Sequence, residues 1–180
     1  ARGIRHLQAL VVSHRDSDHA GGAGSLLRQV SIDWFASSLE ESHPLLRAAP
    51  RHFRCELGQQ WRWGEVEFTW LHPSPGETPG ARRTGNARSC VLRVRSPAGS
   101  ALLAGDIEAA QEAQLLSREG AEGLRADVLL VPHHGSASSS TSAFVQAVAP
   151  TWAVFQVGYR NRFGHPAPAV LARYQDAGID

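Results

Sequence analysis

Short apolar runs alternate with stretches of helical spacing along the whole chain, a pattern that predicts an α/β layered domain rather than a helical bundle or an all-β barrel. Leu7 to Val12 is an apolar run of strand length that leads straight into SerHisArgAspSerAspHis at 13–19. The glycine pair at 21 and 22 opens a short helix carrying Leu26, Leu27 and Val30, and a strand follows near Ile32 to Ala36. Within 61–70, Val66, Phe68 and Trp70 fall on one face and Glu65, Glu67 and Thr69 on the other. That period of two, turned at Gly64 and Glu65, predicts a β-hairpin whose Trp61, Trp63 and Trp70 are expected to pack into a core, with stacking on flat ligand groups as the alternative. Residues 73–88 carry Pro, Gly, Thr and Arg without periodicity and are expected to form a surface loop.

Strands are expected again at Val91 to Val94 and Ala101 to Ala104, the second running into Gly105 and Asp106. Helical spacing then covers Ile107 to Glu119, and a buried strand covers Ala126 to Val131, ending in ProHisHisGly at 132–135. Ser-rich residues at 138–142 cap a helix over Phe144, Val145 and Val148. A strand over Trp152 to Val157, the turn GlyTyrArgAsnArgPheGlyHisPro at 158–166 and a final helix complete the chain. Neither an internal repeat nor a linker divides the 180 residues, so a single domain over 1–180 is expected.

Composition changes this picture only a little. The 18 basic residues, all arginine, nearly balance 17 acidic ones, which excludes a strongly basic nucleic-acid arm and an acidic tail. Any attraction for an anionic ligand has to be local. No apolar run is long enough to cross a membrane. The chain holds no Met and begins at Ala1, which reads as a piece of a longer protein. Cys55 and Cys90 sit in no metal-binding spacing, and the sequence leaves open whether they pair or remain thiols.

Ionisable residues recur immediately after buried strands: His14, Asp16, Asp18 and His19 after the first, then Asp106, then His133 and His134, then His165. Strand ends on one edge of an α/β layer share a crevice, so four such loops are expected to converge. In an extended loop the spacing presents 14, 16 and 18 to one side and His19 to the other, an arrangement suited to two neighbouring metal ions. Asp106 has a competing role as the N-cap of the following helix. His6, His43, His52 and His72 occupy no comparable position and are read as ordinary structural histidines.

The run SerHisArgAspSerAspHisAlaGlyGly at 13–22 resembles the metal-binding loop of the metallo-β-lactamase superfamily. LeuLeuAlaGlyAspIle at 102–107, ValProHisHisGlySer at 131–136 and AsnArgPheGlyHisPro at 161–166 narrow the resemblance to the C-terminal domain of the ComEC family of competence proteins. Two departures from the wider superfamily stand out. Asp16 takes the place of a histidine, and AsnAlaArgSer at 86–89 lies where an isolated histidine is usual. The resemblance implies an αββα sandwich, here incomplete at its N-terminus, within a bacterial inner-membrane protein and on its extracytoplasmic side. It implies two divalent ions, Mn or Zn, and no small-molecule cofactor. His14 and Asp16 would hold one ion; Asp18, His19 and one of the pair His133 and His134, with His133 favoured, the other; Asp106 would bridge.

The activity implied is hydrolysis of DNA phosphodiesters, with DNA and the remainder of the same polypeptide, a transmembrane channel, as partners. Asp18, His134 and His165 are the expected catalytic residues, and Asn86, Ser89, Ser136, Arg160 and Arg162 the expected substrate contacts. Three carboxylates against two divalent ions leave one positive charge, which suits an anionic phosphodiester. Arg82, Arg83, Arg88, Arg93 and Arg95 form a second candidate stripe for a phosphate backbone. Against that stripe, Arg93 and Arg95 are also placed by alternation on the solvent side of their strand, opposite Leu92 and Val94.

Overall fold

The computed structural model describes residues 3–49, 51–75 and 85–179. Strand β1 (His6–Val12) is followed by helices α1 (Ser17–Ala20) and α2 (Ala23–Gln29), then β2 (Ser31–Ser37), α3 (Pro44–Ala48) and β3 (His52–Arg54). These three strands form a parallel sheet in the order β1-β2-β3. The second sheet runs β4 (Gln60–Trp63), β5 (Val66–His72), β6 (Val91–Ser96), β7 (Gly99–Leu103), β8 (Val128–Leu130) and β9 (Trp152–Val154), each paired with the next. Pairing is antiparallel from β4 to β7 and parallel from β7 to β9. The parallel pairs need crossovers, supplied by helices α4 (Ala109–Leu124) and α5 (Ser142–Val148); α6 (Pro168–Asp176) closes the chain.

Three apolar clusters define four layers. Val12, Phe35 and Leu39 pack with Ala20, Ala23 and Leu45, joining the first sheet to α1, α2 and α3. Ala36, Trp70 and Leu92 pack with Trp34, Trp61 and Phe68 between the two sheets. Leu71, Leu102 and Leu129 pack with Leu115, Phe144, Val145, Val170 and Tyr174, joining the second sheet to the other helices. Strand β5 shows how alternation builds this order, because Phe68 and Trp70 enter the middle layer while Leu71 enters the outer one. The middle layer is dominated by aromatic faces: Trp61 stacks on Phe68 with centroids 4.9 Å apart, and Trp34 meets Trp61 edge-on at 5.4 Å. Such pairs add about 0.5–1.5 kcal/mol each beyond the area they bury. Trp61 and Trp70 are therefore core residues, whereas Trp63 keeps 37% of its surface exposed.

The architecture matches the αββα expectation, and the departures from it are local. Helix α4 starts at Ala109, capped at Glu108, whose backbone N–H donates to Gln111 Oε1 at 3.3 Å. It breaks at Gly120 and continues to Leu124, one turn past the expected end. Of the expected surface loop, 76–84 lies outside the described residues, and with it Arg82 and Arg83. Asn86–Arg88 forms a short 3-10 turn with Ala87 buried. Arg93 does not face solvent: burial under α4, with Arg95 beside it, pushes its guanidinium pKa down, and its Nη1 donates to Gly123 O at 2.8 Å. Arg88 is likewise tied down, donating to Ser38 O at 2.9 Å and lying 3.6 Å from Glu40. Neither arginine is free to track a phosphate backbone.

Cys55, just past β3, is joined to Cys90, just before β6, in a buried disulfide that closes a separation of 35 residues and ties the two sheets together. Replacing both cysteines by serine is expected to lower the unfolding free energy by about 2–4 kcal/mol, read from the urea midpoint. An unchanged midpoint would mean that the cross-link constrains nothing in the unfolded chain.

Candidate metal centre

The site grows out of the end of β1. Ser13 is pinned from two sides, its carbonyl accepting from Cys90 N at 2.9 Å and Ser38 Oγ at 2.7 Å. His14 follows, 1% exposed, with Nδ1 3.1 Å from Ser13 Oγ and 3.2 Å from Ser89 Oγ. The chain stays extended only to Asp16, whose carbonyl then accepts from the N–H groups of His19 and Ala20 and starts α1. This single helical turn overturns the alternation expected for the loop. His19 does not turn away; its ring lies 4.2 Å from that of His14, with Ser13 Oγ 3.0 Å from its Nδ1.

Asp106 enters from the end of β7. Its backbone N–H donates to Ser89 Oγ at 3.0 Å, and the N-cap role expected as its alternative falls to Glu108. Gly105 makes the approach possible: its φ is +57°, and a Cβ there would sit 2.9 Å from the Cβ of Ser89. The Asp106 carboxylate, 5% exposed, is surrounded by imidazoles. Oδ1 lies 3.1 Å from His19 Nε2; Oδ2 lies 3.6 Å from His134 Nε2, 3.8 Å from His14 Nε2 and 3.9 Å from His133 Nε2.

The two histidines after β8 take different directions because both have positive φ, and Gly135 beyond them is pressed against Phe155 and Pro166. His134 Nδ1 donates to Gln156 O at 2.7 Å, so in the neutral ring Nε2 carries the lone pair. That nitrogen faces Asp18 Oδ2 at 3.2 Å and His19 Nε2 at 3.2 Å. His133 instead sets Nδ1 3.3 Å from Glu108 Oε1 and Nε2 3.5 Å from Asn86 Nδ2. Among the described residues, donor atoms of Asp18, His19, Asp106 and His134 all lie within 4.8 Å of one another. The geometry therefore favours His134 over the expected His133, since the backbone kink directs the second ring, not the first, into the cluster.

Electrostatics follows burial. For Asp106, burial pushes the carboxyl up, but its hydrogen bond to His19 and the charges of His19, His134 and His14 outweigh that and hold it below the usual carboxylate range. Burial pulls His19 down, and the bond to Asp106 with the charges of Asp106, Asp18 and Asp16 more than reverses it. His14 is lowered by burial and then by His19. His14 Nε2 is buried without a hydrogen-bond partner, 3.6 Å from Asp16 Oδ2. An orphaned imidazole nitrogen, two Nε2 atoms face to face and three carboxylates make a donor set that fits divalent cations.

Other expected site residues separate into two groups. His165 lines a pocket of about 560 Å³ together with Asp18, His19 and His134. Its pKa is lowered by burial and then by His133 and His134. Arg160 and Arg162 stand exposed on the same turn. Ser89 is fully buried and spends its hydroxyl on His14 and Asp106, so it positions ligands instead of meeting substrate. Ser136 Oγ is turned to Ser138 Oγ at 3.1 Å, and Asn86 reaches His133 and Glu108. Sequence reasoning missed Ser13 and Glu108. Each adjoins a recognised ligand position, Ser13 directly before His14 and Glu108 two residues after Asp106, and that adjacency was the available signal.

A model of the metallo-β-lactamase superfamily matches residues 1–155. The chain belongs to the metallo-β-lactamase superfamily. It is 36% identical over 179 residues to competence protein ComA of Neisseria gonorrhoeae, covering 99% of this chain and 24% of that protein. It is 33% identical to recombination protein 2 of Haemophilus influenzae, covering 93% and 20%, and 30% identical to ComE operon protein 3 of Bacillus subtilis, covering 99% and 24%. The chain thus spans about a quarter of the length of these relatives. Among solved structures, the diiron β-hydroxylase CmlA of Streptomyces venezuelae superposes with TM-score 0.61 at 15% identity, covering 97% of this chain and 43% of that one. A putative metal-dependent hydrolase of Parabacteroides distasonis gives 0.57 at 13%, covering 99% and 76%. These likenesses show the fold, and the superfamily implies divalent-metal binding. Among the described residues no helix is long and apolar enough to cross a membrane.

The Asp106–His19 pair makes a pH-dependent prediction for the metal-free protein. Asp106, depressed below 3.8, contributes stability that is lost as pH falls through its folded value; His19, raised above 6.5, contributes stability that is lost as pH rises through its folded value. Asp106→Asn is therefore expected to cost about 3 kcal/mol near pH 5.5 and clearly less near pH 8, measured by urea unfolding in chelator. Equal penalties at both would contradict the ion pair.

Proposed function

We propose that this chain is a binuclear metal-dependent hydrolase domain that cleaves DNA phosphodiesters within a DNA-uptake protein. The observation that carries the reading is the convergence of Asp18, His19, Asp106 and His134 beside an open pocket, one wall of which is the turn that carries the exposed Arg160 and Arg162. The relatives named as competence and recombination proteins support DNA as the substrate and a longer polypeptide as the setting, and the reading places a transmembrane channel in the rest of that polypeptide. In this reading His14 and Asp16 would hold one ion, Asp18, His19 and His134 would hold the other, and Asp106 would serve as a ligand to both. Two divalent ions would supply Lewis-acid stabilisation of the charge that develops on the phosphoryl oxygens.

The remaining work falls to residues of the chain itself. Ser13 and Ser89 fix the imidazoles of His14 and His19, so that their free nitrogens meet the carboxylates without reorganisation. Glu108 holds His133 by Nδ1 and leaves Nε2 toward Asp106. His165 stands at the pocket wall, and burial with the neighbouring histidines lowers its pKa, so the neutral ring is suited to holding a phosphate oxygen through its N–H. Arg160 and Arg162 meet the flanking phosphates. The buried disulfide suits an oxidising, extracytoplasmic compartment. The non-transported strand of incoming DNA is the substrate this setting offers.

Asp18→Ala and His19→Ala are each expected to abolish metal-dependent DNA cleavage while leaving the circular dichroism of the folded domain intact. Retained cleavage in either variant sinks the proposal; DNA binding without any cleavage after Mn²⁺ reloading would make the domain a guide. Oxygen donors from Asp16, Asp18 and Asp106 make the site harder than an all-imidazole one, so Mn²⁺ is expected to support cleavage at least as well as Zn²⁺. Activity restored to the chelated protein by Zn²⁺ alone would contradict that.

A further inference from the structure

The pocket beside the metal-ligating cluster has two walls of different chemistry. Asp18, His19 and His134 form one; Asn161, Phe163 and His165 form the other. The second wall is a turn fixed by its own hydrogen bonds. Asn161 Oδ1 accepts from His165 N at 2.9 Å, and its Nδ2 donates to His165 O at 2.7 Å and to Gly158 O at 3.3 Å. This locked turn holds large rings out in water: Phe163 is 67% exposed and Tyr159 91%. Phe163 and His165 lie nearly parallel, 15° apart with centroids separated by 5.8 Å, as one ledge at the pocket edge. A guanidinium accompanies each exposed ring, Arg162 at 4.9 Å from Phe163 and Arg160 at 5.2 Å from Tyr159. Neither arginine is paired with a carboxylate among the described residues.

An exposed aromatic residue by itself is unremarkable on a protein surface. Here the backbone that carries Phe163 and His165 is pinned by Asn161, both rings border the proposed reaction centre, and a guanidinium without a carboxylate partner among the described residues lies over Phe163 and another over Tyr159. That combination matches a ligand that alternates flat apolar groups with anionic ones. We propose that the turn from Tyr159 to His165 is a base-stacking platform, so that the substrate is a single strand whose unpaired base, next to the phosphate held at the metal centre, stacks on Phe163. Arg162 and Arg160 take the adjoining phosphates. A base within a duplex is already paired and stacked and does not reach the ledge. An acidic protein segment offers the charges without the flat rings. The inference rests on the phosphodiesterase reading and adds strand state and a specificity residue to it.

The test compares oligothymidylate with a strand of the same length built from abasic deoxyribose phosphates, using the Mn²⁺-loaded protein, Phe163→Ala and Phe163→Trp. The native protein is expected to prefer the base-bearing strand by about tenfold in kcat/KM, in line with one stacked base. Phe163→Ala is expected to lose most of that ratio, and Phe163→Trp to keep it. A ratio unchanged in Phe163→Ala, or a native protein that cleaves both strands equally, overturns the platform while leaving the phosphodiesterase reading in place. Failure of the native protein to cleave either strand overturns that reading and the platform with it.

Discussion

A carboxylate taken out of water has to be surrounded by positive charge or donated hydrogens, and the side chain of Asp106 sits where burial alone pushes its pKa up. His19 answers at 3.1 Å, and His134, His14 and His133 stand within 3.9 Å, so that the carboxylate stays ionised in a wall of imidazoles. The energetic logic runs outward from there. Three of those rings are fixed by a second hydrogen bond on the far nitrogen, to Ser13, Ser89 or Gln156, which leaves the near nitrogen committed to the cluster. Asp16, Asp18 and Asp106 bring three carboxylates to one cluster, and His14 Nε2 is buried there with no hydrogen-bond partner among the described residues. Divalent cations would meet both demands at once.

The layered fold supplies these groups from distant parts of the sequence. β1 and α1 bring His14 to His19, the end of β7 brings Asp106, and the end of β8 brings His134. Their alignment depends on both sheets keeping their relative position, which the aromatic middle layer and the Cys55–Cys90 bridge maintain. Small residues at the strand ends decide the final ångström. Gly105 lets Asp106 pass against Ser89, and Gly135 lets the His133–His134 turn press on Pro166. Substituents there would push whole backbone segments apart, beyond what a side-chain rotation could absorb.

Much of this was legible in the residues. The apolar runs located β1, β2, the β4–β5 hairpin and the crossover helices of the second half, because a half-buried strand and an amphipathic helix leave different periods, but the three-residue β3 (His52–Arg54) and the five-residue α3 (Pro44–Ala48) are too short to show one. The four ligand-bearing loops followed from polar residues placed directly after buried strands. What the sequence concealed were directions set by tertiary context. One turn of helix at Ser17–Ala20 returned His19 toward His14, and positive φ at both His133 and His134 aimed the second ring inward. Arg93 reads as solvent-facing by alternation, yet α4 covers that face of the sheet and takes its hydrogen bond. Pairing of Cys55 with Cys90 depended on two sheets meeting across 35 residues, which spacing alone does not encode.

In the proposed binuclear site Asp106 would be a ligand to both cations. Electron paramagnetic resonance of the protein titrated with Mn²⁺ tests it most directly. The account predicts a spin-coupled two-manganese spectrum for the native protein that collapses to isolated Mn²⁺ in Asp106→Asn. An isolated-ion spectrum in the native protein at saturating Mn²⁺ would contradict it.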